Sequence, residues 1–376
     1  MKIVFLSNYF NHHQKPLSDE LFLLTYGNYI FVETEAMSEE RKNMGWGETK
    51  TPEYVRQYNE EKDVIDAAIN NADVIIIGSA PKKLVDKRLE DNKLTFIYSE
   101  RIYKKKTPYL KLPLHFLKFG LWYRRYKNLY LLCASAYTAK DYAKTFTFIN
   151  KAYKWGYFPE CKEYEDIDAL IASKKKNSLL WCARFIDWKH PETPVRIAKR
   201  LRDDGYDFEL NMIGRGEMQD DIRNMVDDLD ISDKVHLLGS MTPERVREYM
   251  EKSEIFLFTS DRNEGWGAVL NESMNSACAV VANQEIGSVP FLVKNGENGF
   301  TYKDIYEDEL YNKIKILLDD KKTRLQFSKK AYLTITEEWN AQSAAKKFIA
   351  LCEQLLSDNT TVDIFEFGIC SKVKTK

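Results

Sequence analysis

Residues 255–272 read IFLFTSDRNEGWGAVLNE. The apolar run Ile255–Phe258 predicts a buried strand, and two glycines then precede a helical pattern. Backbone amides at such a turn, together with the dipole of the helix, attract an anion. Glu264 lies in the loop and Glu272 about two turns into the helix, so their carboxylates can reach different parts of one long ligand. An ordinary glycine turn with two solvated glutamates is the alternative.

Two further loops of this half carry residues suited to a ligand. Arg184 follows the apolar run Ser178–Ala183, and Lys189 comes five residues later. Two cations on one loop at the end of a strand can hold a diphosphate, although an exposed loop with ordinary charges has the same composition. Gly214-Arg215-Gly216 follows the run Phe208–Ile213 and would let the backbone approach a ligand closely, but a plain turn explains it equally well.

The same alternation of apolar runs and helical patterns fills both halves of the chain. Continuous Val, Ile and Leu runs indicate strands that are covered on both faces. In the first half the predicted strands are Lys2–Leu6, Tyr29–Val32, Asp73–Gly78, Leu94–Tyr98 and Asn128–Cys133. In the second half they are Ser178–Ala183, Phe208–Ile213, Val235–Leu238, Ile255–Phe258 and Ala279–Ala282. Strands that alternate with helices predict βαβ units, so the sequence predicts an α/β fold with parallel sheets.

A break between two domains is predicted near residue 158. Lys154–Pro159 contains a glycine and a proline, and the acidic stretch Glu160–Asp168 follows it. We therefore expect a first Rossmann-like domain at 1–158 and a second at 159–340. Three helices are predicted near the end of the chain, at Tyr311–Leu318, Arg324–Thr336 and Ala341–Leu356.

Composition excludes several classes of protein. The chain has 376 residues, of which 44% are hydrophobic and 30% are charged, and this balance excludes a mainly disordered protein. Uncharged runs reach only about 12 residues, which excludes a spanning helix of about 20. The run Ile3–Leu6 is too short for a signal peptide, and the six cysteines form no metal-binding pattern. We expect a cytoplasmic protein with reduced thiols and no bound metal.

Charge is distributed unevenly along the chain. Residues 1–158 hold 25 Lys and Arg against 18 Asp and Glu, whereas the remainder holds 31 against 39. Arg101 to Lys140 contains ten basic residues and no acidic one, with aromatic residues interleaved. This composition suits an anionic bilayer, although part of the segment must be core; nucleic acid would attract the same charge, but no nucleic-acid-binding motif is present. The bilayer candidates are Lys104, Lys105, Lys106, Lys118, Trp122, Arg124 and Arg125.

Taken together, the loops of the second half resemble one known family, the retaining glycosyltransferases of family 4 (glycosyltransferase group 1). The resemblance extends over nearly the whole chain and is strongest from Leu179 to Thr301. Glu264 and Glu272 match the family's Glu-x7-Glu pattern. The other matching segments are Arg184 with Lys189, Gly214–Gly216, Val235–Gly239, Gly287–Pro290 and Asn295–Gly299.

The resemblance implies roles for these residues toward a nucleotide-sugar donor, with UDP- and GDP-sugars foremost. Arg184 and Lys189 would hold the diphosphate and stabilise charge on the departing nucleotide. Glu264 would contact the donor sugar as the third catalytic candidate, and Glu272 would hydrogen-bond the ribose hydroxyls. The further donor-binding candidates are Gly214, Arg215, His236, Leu238, Gly265, Trp266 and Gly267, with the base flanked largely by backbone.

The family also implies an architecture and a reaction. Its GT-B fold sets two Rossmann-like domains across a cleft, and residues 341–376 would return to pack on the first domain. The implied enzyme is a hexosyltransferase without a cofactor. It would build surface polysaccharide on a glycan or lipid-linked glycan, in the cytoplasm or at the inner face of the plasma membrane. A nucleotide-sugar epimerase of similar fold and a non-catalytic nucleotide- or membrane-binding module are the alternatives.

The first domain departs from the glycine-rich loop that many family members carry after their first strand. His12 and His13 stand there instead, and they could bind acceptor hydroxyls or move a proton, or simply occupy a polar surface loop. Glu100 and Arg101 follow another strand and are a second pair of acceptor-side candidates. A buried structural ion pair is the equal alternative for that pair.

Overall fold

The protein is described by a computed structural model over residues 1–38, 51–104, 109–303, 307–357 and 363–373. Contacts divide the chain into two compact units. The first unit combines Met1–Glu160 with Trp339–Lys376, and the second is Cys161–Glu338. The first unit is therefore discontinuous in sequence, and the second is inserted into it.

A parallel sheet of seven strands forms the centre of the first unit, in the order β3-β2-β1-β4-β5-β6-β7. Its strands are β1 (Ile3–Ser7), β2 (Tyr29–Glu33), β3 (Val55–Gln57), β4 (Val74–Ile77), β5 (Thr95–Ser99), β6 (Leu129–Cys133) and β7 (Ala152–Lys154). β1, β4 and β6 are buried along their whole length, which explains their continuous apolar sequences.

Helices connect these strands. They are α1 (Lys15–Leu24), α2 (Lys62–Asn71), α3 (Asp86–Glu90), α4 (Leu112–His115), α5 (Leu121–Arg124) and α6 (Thr138–Ala143). A 3₁₀ turn at Tyr109–Lys111 precedes α4, and a π-helical turn at Phe116–Gly120 links α4 to α5. Residues 109–124 thus form one continuous helical segment.

The second unit holds a parallel sheet of six strands, in the order β10-β9-β8-β11-β12-β13. Its strands are β8 (Lys175–Cys182), β9 (Glu209–Ile213), β10 (Val235–Gly239), β11 (Ser253–Phe258), β12 (Ala279–Asn283) and β13 (Phe300–Tyr302). Its helices are α7 (Ile167–Ser173), α8 (Glu192–Asp203), α9 (Gln219–Asp228), α10 (Pro243–Lys252), α11 (Val269–Asn275), α12 (Val289–Leu292), α13 (Glu307–Asp319) and α14 (Lys321–Leu333).

The last helix, α15 (Ala341–Leu356), belongs to the first unit and packs against α1. The Asn340 side chain caps it by accepting a hydrogen bond from the Ser343 amide at 2.8 Å. Phe348 on this helix is fully buried, and its ring centroid lies 5.1 Å from that of Phe96 on β5 and 5.5 Å from that of Trp155.

Both sheets have the doubly wound order in which the chain moves outward from a central strand and then starts again on its other side. The predicted α/β fold with two Rossmann-like parallel sheets is confirmed. In such sheets ligands bind at the carboxyl ends of the strands, at the point where the order reverses. In the second unit this point lies between β8 and β11.

Candidate active site

The loops after β8 and β11 are joined by hydrogen bonds at this switch point. Trp181 Nε1 donates to Thr259 Oγ1 at 2.8 Å, and that hydroxyl donates to the Lys189 carbonyl at 2.8 Å. The Asp261 amide donates to the Trp188 carbonyl at 3.0 Å. These bonds hold the two loops together and so fix the side chains that the loops carry.

Lys189 and Glu264 form an ion pair across this junction. Their side chains are only 11% and 10% exposed, so both charges are largely removed from water. Each charge therefore depends on the other to offset the loss of hydration. The structure thus brings together two of the three residues that were predicted to act in catalysis.

A second polar pair, which the sequence did not indicate, lies beside the first. His190 adopts a left-handed backbone conformation with a φ of 50°, and its Nε2 lies 3.6 Å from Asp261 Oδ2. Burial raises the pKa of Asp261, but hydrogen bonds from His190 and Asn263 outweigh it and leave the pKa below its usual value. Only the position of His190, next to Lys189 in the sequence, could have suggested that it belongs to the site.

Two glycines bring the loop after β9 against the loop after β8. Gly214 has a φ of 139°, and a Cβ on it would lie 1.8 Å from the Ala183 carbonyl oxygen. A Cβ on Gly216 would lie 2.3 Å from the Phe185 carbonyl oxygen. The loop pairing has no room for a side chain at either position, which is the physical reason for the Gly-x-Gly pattern.

Arg184, which was predicted to bind phosphate, and Arg215, a donor-binding candidate, are exposed at the same edge of the sheet. Arg184 follows β8 and Arg215 follows β9, and both side chains are exposed. Within the described ranges, neither guanidinium forms an ion pair. A Cβ placed on Gly239, at the end of β10, would lie 3.6 Å from Arg215 Nε, so the loop after β10 adjoins this cation. Both cations are therefore available to an anionic ligand.

The glycine turn before α11 is tightly packed. A Cβ on Gly267, whose φ is 83°, would lie 2.4 Å from the Phe258 ring. The Trp266 side chain is fully buried, and its Nε1 donates to Asn271 Oδ1 at 2.9 Å. Among the described residues, the Gly265 and Gly267 amides find no acceptor. The indole of Trp266 is thus part of the core, and the donor contact predicted for this residue, which was assigned to its backbone amide, stays a prediction.

Glu272 lies on α11 and is partly buried. Burial raises the pKa of its carboxyl to about 7, against an opposing effect of Arg247. Burial also raises the pKa of the Cys182 thiol to about 12, where the Glu272 charge adds to the rise and the Lys189 charge opposes it. The charges of Glu272 and Lys189 therefore both influence Cys182, at the end of β8.

His236 and Leu238 lie on β10, the edge strand next to β9. The His236 Nε2 lies 4.0 Å from a carboxylate oxygen of Glu209, the first residue of β9. The ring therefore turns toward the amino ends of the strands, away from the loops described above. Leu238 lies one residue before the end of β10 and is partly buried. Of these two candidates, Leu238 is thus the nearer to the loop that adjoins Arg215.

In the first unit, His12 and His13 follow β1 and precede α1. Their ring centroids lie 3.9 Å apart. Burial, and then the neighbouring His12, lower the pKa of His13 to about 3, so its imidazole is neutral at physiological pH. A neutral imidazole can exchange hydrogen bonds with hydroxyl groups, but it carries no charge for an anion.

Glu100 and Arg101, the second pair of acceptor-side candidates, make different contacts. The Tyr157 hydroxyl donates to Glu100 Oε1 at 2.7 Å, and Lys104 donates to Glu100 Oε2 at 2.9 Å. Arg101 is 5% exposed, lies 3.9 Å from the buried Asp141 carboxylate and stacks over the Tyr137 ring at 4.5 Å. Arg101 as an acceptor-side candidate is therefore corrected: it is held inside the unit by a carboxylate and an aromatic ring.

The basic segment of the first unit is partly core and partly surface. Trp122 is partly buried, and its ring centroid lies 5.2 Å from that of the buried Tyr126. Arg124 and Arg125 are exposed. Three further candidates lie outside what the structure describes: Lys105, Lys106 and the side chain of Lys118.

Within the described ranges, none of the helices combines the length and the apolar character that a membrane span requires. The described residues also contain no group of three or more His, Cys, Asp or Glu side chains placed to hold a metal ion.

The second unit is similar in sequence to a known family. Residues 163–334 match the model of the family described as glycosyl transferases group 1. A Campylobacter jejuni relative named N-acetylgalactosamine-N,N'-diacetylbacillosaminyl-diphospho-undecaprenol 4-alpha-N-acetylgalactosaminyltransferase is 29% identical over 170 residues, which are 45% of this chain and 44% of the relative. A Staphylococcus aureus relative, poly(ribitol-phosphate) alpha-N-acetylglucosaminyltransferase, is 25% identical over 171 residues, or 45% of this chain and 34% of the relative. The matches thus span less than half of these relatives.

Solved structures extend the likeness in fold to both units. Anabaena HepE in complex with UDP has a TM-score of 0.68 at 14% identity and covers 96% of this chain and 100% of its own. The pneumococcal O-GlcNAc transferase GtfA in complex with UDP and GlcNAc has a TM-score of 0.67 at 10% identity, with 94% and 99% covered. The chain therefore has the GT-B fold, and its residues 163–334 are similar to the glycosyl transferases group 1 family.

Proposed function

We propose that this protein is a retaining glycosyltransferase that moves a hexosyl group from a nucleoside diphosphate to a glycan or lipid-linked glycan, in the synthesis of a surface polysaccharide. The observation that carries the proposal is the largely buried Lys189–Glu264 pair at the switch point of the second sheet. The exposed Arg184 and Arg215 at the same edge supply the charge that a diphosphate requires.

Each residue has a role in the proposed reaction. Arg184 and Lys189 bind the diphosphate and stabilise the charge that develops on it as the bond from the anomeric carbon to the phosphate oxygen breaks. The acceptor oxygen attacks that carbon from the same face, and its proton passes to the departing phosphate. Glu264 receives hydrogen bonds from the donor sugar, and the Gly265 and Gly267 amides donate to the sugar–phosphate region. Removal of one such stabilising group costs about 10²–10³-fold in rate.

Two comparisons support particular donors and acceptors. The structures of HepE and GtfA contain UDP, which favours a UDP-sugar for this chain. The name of the Campylobacter relative includes a diphospho-undecaprenol acceptor, which favours a lipid-linked acceptor here. Glu272 would bind the ribose hydroxyls of the donor. On the acceptor side we retain His12, His13 and Glu100, and we propose that no metal ion is required.

The proposal is tested by thermal denaturation of the purified protein with UDP, GDP, ADP and CMP, in the absence of metal. A ligand at 100 times its dissociation constant stabilises the fold by about 2.7 kcal/mol, so one diphosphate should raise the melting temperature clearly. Arg184→Ala should abolish the shift. Arg223→Ala, which removes an exposed arginine of α9 in the same unit, is the matched control and should retain it.

Turnover is then measured by incubation of the matching nucleotide sugar with lipid-linked and soluble acceptors. Transfer that needs an acceptor supports the proposal, and product configuration reports retention. Conversion of the donor sugar without an acceptor would instead identify an epimerase. If the protein binds nucleotide but neither converts the donor sugar nor transfers it, it is a non-catalytic binding module.

A further inference from the structure

The helical segment 109–124 carries a row of leucines that face solvent. Leu110, Leu114, Leu117 and Leu121 are 97%, 65%, 60% and 51% exposed. Their separations of four, three and four residues correspond to successive turns on one side of a helix. Single exposed leucines are common, but a row of four on one helical segment marks a surface that contacts something apolar.

The C-terminal end of this segment is packed against the rest of the unit. Tyr123 is 4% exposed, and its hydroxyl accepts a hydrogen bond from Lys82. The Lys82 ammonium lies 4.3 Å from the centroid of the Tyr123 ring, 5.6 Å from that of Trp122 and 5.4 Å from that of Phe119. Cation–π contacts of this kind hold the C-terminal end of the segment in place while the leucines remain exposed.

A second element extends the apolar surface. Phe146 and Ile149, in the loop after α6, are 62% and 48% exposed. The Phe146 ring meets the Phe116 ring edge-on, with centroids 6.2 Å apart, so the loop adjoins the helical segment. Phe146 has a φ of 55°, and the left-handed conformation is unfavourable for a bulky residue. An apolar side chain is thus held toward solvent at some cost in backbone energy.

The basic residues around the exposed leucines indicate which kind of partner this surface binds. Arg101 to Lys140 has ten basic residues and no acidic one, and Lys111, Arg124 and Arg125 are exposed beside the leucines. Apolar side chains surrounded by cations complement an anionic bilayer. The acyl chains contact the apolar side chains, and the phosphates bind the cations. A second copy of this chain would bring an equally basic surface against the first, which like-charge repulsion disfavours.

We propose that Leu110, Leu114, Leu117, Leu121, Phe146 and Ile149 form a bilayer-docking surface of the first unit. These side chains enter the boundary between headgroups and acyl chains of an anionic membrane, and the surrounding Lys and Arg side chains bind lipid phosphates. The inference does not depend on sugar transfer, because the surface belongs to the first unit and the nucleotide loops belong to the second.

The experiment is sedimentation of the full chain with vesicles of phosphatidylcholine alone or mixed with phosphatidylglycerol. The protein should bind the mixed vesicles, and binding should weaken as salt rises. Leu114→Glu/Leu117→Glu should abolish binding. Leu23→Glu/Val64→Glu is the matched control, since those side chains are 68% and 67% exposed elsewhere in the same unit, and it should bind normally. Arg124→Gln/Arg125→Gln should weaken binding about fivefold per charge removed.

Insertion is measured with Leu117→Trp, whose fluorescence should shift to shorter wavelength on mixed vesicles, whereas Leu23→Trp should not shift. Nucleotide-induced stabilisation should be unchanged in Leu114→Glu/Leu117→Glu, which separates this surface from the donor site. An unchanged far-ultraviolet circular dichroism spectrum shows that the first unit of this variant is folded. Equal binding by that variant and its control would overturn the proposal. Self-association that the leucine substitutions abolish, without vesicle binding by the unaltered protein, would also overturn it and identify an interface between copies.

Discussion

Glu272 holds a proton at a pH at which most glutamates have lost theirs. Burial raises the pKa of its carboxyl from 4.5 to about 7. Between those values the folded protein binds more protons at this site than the unfolded chain does, so the contribution of Glu272 to stability falls as pH rises from about 4.5 to 7. Above pH 7 the folded protein carries a carboxylate that burial disfavours.

We expect Glu272→Gln to be more stable than the unaltered protein at pH 8, with an advantage that shrinks as pH is lowered toward about 4.5. Urea unfolding midpoints of the second unit over this pH range measure it. The substitution should also weaken nucleotide binding, because the carboxylate is the form that accepts two ribose hydroxyls. An equal midpoint difference at pH 5 and pH 8 would show that the carboxyl keeps an ordinary pKa.

At the scale of single residues, the sequence indicated Lys189 and Glu264 but not the residues that hold their two loops together. Lys189 and Glu264 could be predicted because cations and carboxylates after parallel strands gather at one edge of a sheet. Thr259 and Asp261 join the two loops, but Thr and Asp are common in ordinary turns, so the sequence did not single them out. The sequence could not decide between the two alternatives for Arg101, because its carboxylate partner Asp141 is distant in sequence. The burial of the Trp266 indole was not predicted, because it depends on how the whole unit packs.

At the scale of elements, the approach of the loop after β9 to the loop after β8 depends on a missing side chain. A Cβ on Gly214 would overlap the Ala183 carbonyl, whereas a Cβ on Gly205, whose φ is 79°, would meet nothing within 4 Å. Both substitutions strain a backbone with positive φ, but only the first must also separate two loops. Gly205→Ala therefore gives the scale of backbone strain against which the loop contact is judged.

Gly214→Ala should therefore destabilise the second unit by clearly more than Gly205→Ala and should also weaken nucleotide binding at least tenfold. Urea unfolding followed by Trp fluorescence gives the stabilities, and calorimetric titration with UDP gives the affinities. Equal losses of stability, with UDP affinity unchanged in Gly214→Ala, would show that the two loops yield freely and that their contact does not shape the site.

The elements themselves differ in how readily sequence indicates them. The central strands were predicted because burial on both faces imposes continuous apolar runs, as in β4 and β12. β3, β7 and β13 were not predicted, since each is an edge strand of three residues whose extended form depends on pairing with a neighbour. The solvent-facing leucines of 109–124 were also missed, because a short apolar–basic pattern cannot show which side is covered.

At the scale of the whole molecule, the first unit depends on residues that are distant in sequence. Phe348 fills a fully buried position between Phe96 and Trp155. Removing a buried aromatic side chain costs about 3–5 kcal/mol. Since Phe348 belongs to α15, that cost falls on the first unit although the residue follows the whole second unit in sequence.

Phe348→Ala should therefore accelerate hydrogen exchange throughout Met1–Glu160 while Cys161–Glu338 keeps its protection. Exchange followed by mass spectrometry resolves the two units within one chain. The matched control is Phe327→Ala, which removes a buried aromatic residue of α14 and should reverse the pattern. Uniform acceleration in both variants would mean that the units unfold as one cooperative body.

The discontinuous first unit also has a consequence during synthesis on the ribosome. β1 to β6 emerge early, but the Ala341–Leu356 helix and the segment whose Lys372 bridges to Tyr153 on β7 emerge last. Translation of the intervening Cys161–Glu338 takes roughly 10–40 s at about 5–20 residues per second, and for that time the nascent sheet lacks the Phe348 side of its core. The inserted unit has its own core and can fold while the first waits. The order of completion is thus the reverse of the order of translation, and the early strands are the natural clients of chaperones on the nascent chain.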